Sequence, residues 1–396
     1  MARRTGTISL RSDGRYQIRY DLGLDQLTGK RKRISLTIKG TRKDAERELR
    51  RVLKSIDDNQ YVEPTRITLS QFLTKWLESM RSQVSLKTHE RYDQVVNSFL
   101  IPAFGGIPLA KLTPMDIQNA YNKWEVAGRR DNKEGGLSPR TRLHIHRVFK
   151  SALKQAAQLQ LIGRNPAEAI KAPRVKRTTI TTLTVEQSAV LLAALQGKAV
   201  YLPVMLALAT GMRRGEILAL RWKNVDLKNK TVRIVESLEQ TKQGVRFKAP
   251  KTERTRAVIL PDYAIEELSL WQQHQCKQLE ELGEGITQDT LVCTGQDGKP
   301  QWPTTVTHQF GKAIRKLTNL PRVRFHDLRH SHATQLLAAG IHPKIAQERL
   351  GHSSITTTLD LYSHVTDTMQ DDAASKLDSA FRIARKSNSN PKPTPQ

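Results

Sequence analysis

The chain has 396 residues, enough for two or three domains with a core in each, and carries 65 Lys and Arg against 38 Asp and Glu, a formal charge of +27. That balance predicts a polyanionic partner, DNA or RNA, with counterion release dominating affinity. It sits poorly with a membrane protein or a disulfide scaffold: the longest apolar stretch, AVYLPVMLALATGM, is too short for a bilayer and runs into Arg213, no apolar leader opens the chain, and Cys276 and Cys293 are its only cysteines. A reducing, cytoplasmic setting without structural zinc is expected.

Residues 1–63 read as strands followed by a helix. GTISL, RYQIRYDLG and KRKRISLTIKG alternate apolar with polar or basic residues, and LTGK supplies a glycine turn before the last of them. Thr41 then starts a helix with Asp44 as its capping partner, and Ala45, Leu49, Val52, Leu53 and Ile56 line one apolar face. A small three-stranded sheet backed by one helix is expected. Its first sixty residues hold sixteen Lys and Arg against eight Asp and Glu, so the open face suits DNA, or is a solvated basic surface.

After a break at VEPTR, residues 66–172 show four helix starts, at Thr68, Ser85, Thr113-Pro114 and Ser138-Pro139. Leu69, Phe72, Leu73, Trp76 and Leu77 face inward on the first, and Tyr92, Val95, Val96 and Phe99 on the second. The expectation is an all-α bundle. Lys87, Arg91, Arg140, Arg142, Arg147 and Lys150 give it basic edges, which fit DNA and equally fit any soluble helix. KAPRVKRTTI, residues 171–180, is a basic linker without periodicity.

Residues 178–385 open on a Thr184/Gln187 capping box and are mostly helical, with strands around TVRIVESL, GVRFKAP and RAVILP. The last residues, 386–396, read as a disordered tail. The fold class is therefore multidomain, mainly α with small β-sheets, the third segment being mixed α/β.

Four places in this third segment can carry chemistry. In ATGMRRGEILALRW an apolar helix ends at Thr210-Gly211 and another starts with Arg213, Arg214 and Glu216; in KAPKTERTRAVILP, Lys251 sits in a turn between two strands. FHDLRHSHATQLLAAG puts His326, Arg329 and His330 on one helical face, and in AQERLGHSSITTTLDLYSHV a helix ends at Leu350-Gly351, His352 occupies the turn and Tyr362 follows a short helix. The spacing of His326 and His330 is also that of the HExxH zinc pair. Asp327, however, stands where that motif needs glutamate, and Arg329 sets a positive charge beside the proposed metal. A guanidinium beside a neutral imidazole suits the holding and protonation of a phosphate. With no GxxxxGK[ST] loop and no carboxylate cluster placed for metal ions, neither cofactor nor metal is expected.

In that order, TGMR, a lysine between strands, HDLRH, LGH and a tyrosine ten residues later resemble the signature of the tyrosine recombinases, the phage-integrase family. The likeness spans the third segment. By pattern and position, the second segment resembles the family's core-binding domain, and the first resembles the arm-binding domain of integrases from phages and integrative elements. The resemblance implies that Arg213 and Arg329 clamp the scissile phosphate and that Lys251 protonates the leaving 5′-oxygen. It implies that His326 accepts the nucleophile's proton or helps hold the phosphate, that His352 is a second contacting histidine, and that Tyr362 forms a 3′-phosphotyrosine. Glu216 would support the site, Arg214 would be a neighbour, and His330 and His332 would support or pack.

The implied protein is a site-specific integrase of a mobile element. It would act as a homotetramer on core and arm DNA sites, with a host DNA-bending protein and an excision factor, in the bacterial cytoplasm at the nucleoid. The helix DDAASKLDSAFRIARK, with Ala374, Leu377, Phe381 and Ala384 on one face, would dock on a neighbouring protomer or in cis. Three alternatives stay open. One is a chromosome-maintenance recombinase, a type that usually lacks an arm-binding segment. The others are a zinc-dependent hydrolase using His326 and His330, and a DNA-binding regulator that kept the fold without the chemistry.

Overall fold

In this computed structural model, residues 6–24, 31–57, 67–129, 133–176, 180–249, 255–356, 358–359, 374–375 and 377–385 are described. The chain divides into two compact units, Met1–Arg177 and Thr178–Gln396, and the division falls in the basic linker.

The first unit opens with an antiparallel sheet in the order β1 (Gly6–Leu10), β2 (Tyr16–Leu24), β3 (Arg31–Ile38). Helix α1 (Arg42–Asp57) covers one face, where Ile18 and Tyr20 meet Ala45, Leu49, Val52 and Ile56. Strand alternation sends Arg19, Arg33, Ser35 and Thr37 to the opposite, exposed face. The helix starts where Thr41 and Asp44 exchange hydrogen bonds, Thr41 N to Asp44 Oδ2 at 2.9 Å and Asp44 N to Thr41 Oγ1 at 3.3 Å. The LTGK turn lies outside the described residues.

A helical bundle follows: α2 (Leu69–Met80), α3 (Leu86–Val95), a π-helical turn (Val96–Leu100), α4 (Ile101–Phe104), α5 (Pro114–Val126) and α6 (Pro139–Gln158). Thr68, Ser85, Thr113 and Ser138 each cap a helix as anticipated, accepting from the backbone N–H of Gln71, Thr88, Asp116 and Thr141 at 3.1–3.3 Å. Phe72, Leu73, Trp76, Val96, Ile117, Ile145, Phe149 and Leu153 fill the centre. The π turn is a departure from the regular helix that Tyr92, Val95, Val96 and Phe99 suggest. Pro102 has no N–H, and its ring crowds the carbonyl four residues back, at Ser98, so the ladder widens there.

The second unit comprises α7 (Val185–Leu195), α8 (Tyr201–Thr210), α9 (Arg214–Leu218), β4 (Val225–Asp226), β5 (Thr231–Ile234), β6 (Ser237–Thr241), β7 (Gly244–Lys248), β8 (Arg256–Ile259), α10 (Asp262–Glu281), α11 (Pro303–Lys316), α12 (Asp327–Ala338) and α13 (Pro343–Leu350). The Thr184/Gln187 box opens α7, with hydrogen bonds of 3.0 and 3.2 Å. Helix α8 is buried continuously from Leu202 to Thr210, as its all-apolar sequence requires, and forms the axis of the core.

The strands that flank Lys251 do not pair with each other. β7 pairs with β6, whereas β8 joins β5 in the sheet β4-β5-β8, because Val232 and Ile234 of β5 and Val258 of β8 all face the core. β6 and β7 are thus a hairpin inserted between two partners. Residues 374–375 and 377–385 are helical, with Leu377 60 % and Phe381 66 % exposed, so the described residues of this chain leave that apolar face uncovered. The tail at 386–396 lies outside the described residues. No described helix is long and apolar enough to cross a membrane.

Phe149 is fully buried and stacks on Phe104 at 5.1 Å between ring centroids. Phe149→Ala is expected to cost about 3–5 kcal/mol, and Thr113→Ala about 1 kcal/mol. Both are read as shifts in the urea transition of the bundle.

Candidate active site

Helices α8 and α13 end alike, each on a glycine in the left-handed region, Gly211 at φ 66° and Gly351 at φ 67°. Gly211 has no room for a side chain, and Gly351 has little. A Cβ on Gly211 would lie 2.6 Å from Leu350 Cδ2 and 2.7 Å from His332 Cδ2, and one on Gly351 would lie 3.0 Å from Arg256 Nη1. The last carbonyls of a helix have no partner within it, and here side chains from elsewhere supply the donors.

Arg329, from α12, does this for both helices. Its Nη1 donates to Gly211 O at 2.6 Å and its Nη2 to Leu350 O at 2.7 Å, and the residue is 3 % exposed. Around it, Arg213 Nη2 donates to Gly351 O at 3.2 Å, Arg349 Nη2 to Ala209 O at 3.0 Å and Arg256 Nε to Arg349 O at 3.1 Å. His332 Nδ1 donates to Leu208 O at 2.7 Å and its Nε2 accepts from Arg349 Nε at 3.1 Å, which fixes the neutral tautomer.

Arg213 begins α9 and is held by Glu216 one turn on. Its backbone N–H donates to Glu216 Oε2 at 2.9 Å and its Nη1 to Oε1 at 2.8 Å. Glu216 is 2 % exposed and also receives Arg256, Nη2 to Oε2 at 2.7 Å. Burial alone would raise this carboxyl, but the hydrogen bonds and charges of Arg256 and Arg213 outweigh it and hold the carboxyl below its usual range. Arg214 bonds Thr307 of α11 and takes no part in the cluster.

The histidines are kept neutral. The pKa of His326 is held at about 4 by desolvation of the packed side of its ring and by the fields of His330, Arg329 and Arg213, although its outer side is open to solvent. His352 is likewise lowered to about 4, by burial and by Arg329 and Arg213, and its Nδ1 lies 2.9 Å from Thr358 Oγ1. His332 is lowered to about 4 by burial and Arg349. Arg329 itself is pulled down to about 9 by burial and by Arg213, and stays charged at neutral pH.

Of the residues singled out in the sequence, Arg213, Glu216, His326, Arg329 and His352 converge through these bonds and fields. Lys251 and Tyr362 lie outside the described residues. The residue that sequence reading passed over is Arg256, whose position before the strand residues AVI carries no periodic or motif signal.

A zinc pair at His326 and His330 finds no support. The rings sit edge to face at 5.1 Å, but Asp327 is buried and spends both oxygens on Arg324, Oδ1 with Nη2 at 2.8 Å and Oδ2 with Nε at 3.0 Å. Among the described residues no group of three or more His, Cys, Asp or Glu is placed to hold a metal ion. Three guanidiniums and two neutral imidazoles gather around one buried carboxylate, an excess of positive charge that suits an anionic ligand.

Residues 181–369 match the phage integrase family, and residues 68–125 match the phage integrase N-terminal SAM-like domain. An integrase of Saccharopolyspora erythraea is 27 % identical over 368 residues, covering 79 % of this chain and 82 % of that one. The ICEBs1 integrase of Bacillus subtilis is 24 % identical over 369 residues, covering 92 % of this chain and 97 % of that one. The fold is similar to that of the Tn1549 transposon integrase solved with a circular intermediate DNA, at TM-score 0.65 and 23 % identity, over 79 % of this chain and 99 % of that one. This chain belongs to the phage integrase family, the tyrosine recombinases. It is an enzyme that breaks and rejoins DNA, an integrase of a mobile element.

The depressed histidines make stability depend on pH. A histidine with a folded pKa near 4 and an unfolded value of about 6.5 binds more protons when unfolded, so its contribution is complete above pH 6.5 and is lost as pH falls toward 4. The urea midpoint of the second unit is expected to drop between pH 7 and pH 5. His332→Asn, which keeps a donor for Leu208 O, should shallow that slope.

Proposed function

We propose that residues 178–385 are the catalytic domain and that Arg213, Lys251, His326, Arg329, His352 and Tyr362 carry out the cleavage, with Glu216 in support. The observation that carries this reading is the double cap made by Arg329. A guanidinium has five N–H donors, and Arg329 and Arg213 each commit some to backbone carbonyls or Glu216 while keeping others for a ligand. They are oriented before the substrate arrives, as transition-state stabilisation requires.

In the proposed step the Tyr362 oxygen attacks phosphorus, the bond to the 5′-oxygen breaks, and that oxygen takes a proton from Lys251. The tyrosine proton passes to His326, and the surrounding cationic field favours the phenolate that results. The unperturbed phenol has a pKa of about 10 and needs such help at neutral pH. His326 is neutral and so free to accept, and the negative charge of a bound phosphodiester raises its basicity. The phosphotyrosine keeps the bond energy, so a second 5′-hydroxyl reverses the step without a nucleotide cofactor. Developing charge on the equatorial oxygens is met by the two arginines.

The remaining segments fit DNA handling. Residues 1–63 would be the arm-site domain, reading DNA with the sheet face opposite α1, and residues 66–172 the core-site domain. On the bundle, Lys87, Arg91, Arg140, Arg147 and Lys150 are exposed, Lys87 pairing with Glu90 at 3.1 Å and Arg91 Nε donating to His144 Nε2 at 2.7 Å, whereas Arg142 is half-buried and bonds Glu125 at 2.8 Å. Four protomers would exchange strands in pairs, aided by a host bending protein and an excision factor. The arm-type sheet weighs against a chromosome-maintenance role.

Incubation with a nicked duplex bearing a candidate core site should give a covalent protein–DNA band on a denaturing gel, with or without EDTA. Tyr362→Phe should give none, and Arg213→Ala or Arg329→Ala should slow its formation by about 10²–10³-fold. Loss of the band in EDTA would return the metal reading, and a band with Tyr362→Phe would remove that residue as nucleophile. For the sheet, joint Arg19→Ala and Arg33→Ala substitution should reduce the slope of log affinity for duplex DNA against log salt by about 2.

A further inference from the structure

Arg256 stands at the first residue of β8 and touches both sides of the site. One edge of its guanidinium meets Glu216, Nη2 to Oε2 at 2.7 Å and Nη1 to Oε1 at 3.3 Å, and its Nε donates to the carbonyl of Arg349 at 3.1 Å. It also packs closely on Gly351, where a Cβ would lie 3.0 Å from its Nη1. Glu216 in turn anchors Arg213 by backbone and side chain, and Gly351 directly precedes His352. We infer that Arg256 is a positioning residue for DNA cleavage, fixing Arg213 through Glu216 and His352 through the last turn of α13.

The inference rests on the reading of Arg213 and His352 given above. Its physical basis is geometric. Arg256 is a planar fork whose donors point in two directions at once, one pair to a carboxylate and one to a helix-end carbonyl, and a lysine cannot span both. Its side chain is 10 % exposed and that of Glu216 is 2 % exposed, so water does not substitute for either partner. Without Arg256, Glu216 is left with Arg213 as its one charged hydrogen-bond partner among the described residues, and the turn that carries His352 loses its tie to β8. A displacement of about 1 Å in such groups costs on the order of 10²-fold in rate. The backbone ladder of β8 with β5, Arg256 opposite Ile234, does not involve the side chain and survives its replacement.

The full chain carrying Arg256→Gln or Arg256→Lys is tested on the nicked duplex at saturating DNA, well below each variant's melting temperature. Both are expected to bind DNA within about twofold of the unaltered chain and to form the covalent intermediate about 10²-fold more slowly. The pH profile separates positioning from loss of folded structure. The charge of Arg256 is among those that lower His352. Arg256→Gln should therefore move the His352 inflection upward, while Arg256→Lys, which keeps the charge and loses the fork, should slow the reaction with the inflection in place. Cleavage at the unaltered rate by either variant would overturn the inference, as would a fall in rate matched by an equal fall in DNA binding. Arg213→Lys and Tyr362→Phe run alongside: if those too cleave normally, the reading of the site has failed, and if they alone are defective, the failure is confined to Arg256.

Discussion

The second unit is organised by the meeting of two helix C-termini on one buried guanidinium. A helix end leaves carbonyls without partners and a partial negative charge, and α8 and α13 bring two such ends together. Left uncapped in the interior, these oxygens would each cost about 1–3 kcal/mol. Arg329 bonds one carbonyl from each and spans the gap between them, so capping the helices and placing the cation are a single event. The two left-handed glycines turn the chain away in time for that approach.

Concentrating Arg213, Arg256 and Arg329 in one place is costly, and the surroundings show how the charge is tolerated. One carboxylate, Glu216, is shared by two of the guanidiniums, and helix-end carbonyls take the remaining inward donors. Nearby histidines respond by staying neutral. What is left over is positive potential directed at a ligand, which a phosphodiester is suited to neutralise. A net charge of +27 favours DNA as a partner, and in the proposed reading this cluster would give the phosphate its specific place.

Features governed by neighbouring residues were legible in the sequence. The caps at Thr41, Thr68, Ser85, Thr113, Ser138 and Thr184 depend on side chains three residues away, and the helix stops at Gly211 and Gly351 depend on a single backbone conformation. Arg213 and Glu216 belonged to this class as well. Features set by distant partners were not legible. Arg256 looks like any basic residue at a strand start until Glu216, forty residues earlier, and Arg349, ninety-three later, are brought beside it. The partition of β7 and β8 into separate sheets was hidden for the same reason, since alternation says that a strand exists and is silent about its partner. The π turn before Pro102 was obscured because the apolar spacing there fits either helix.

Because Arg329 recognises main-chain oxygens, its two bonds at the ends of α8 and α13 depend on the backbone course set by Gly211 and Gly351, and not on the chemistry of a side-chain partner. The electrostatic heart of the enzyme is thereby separated from the residues that surround it. In the proposed reading, residues outside this buried cluster can change, and with them the preference among DNA sites, while the grip on the phosphate stays the same.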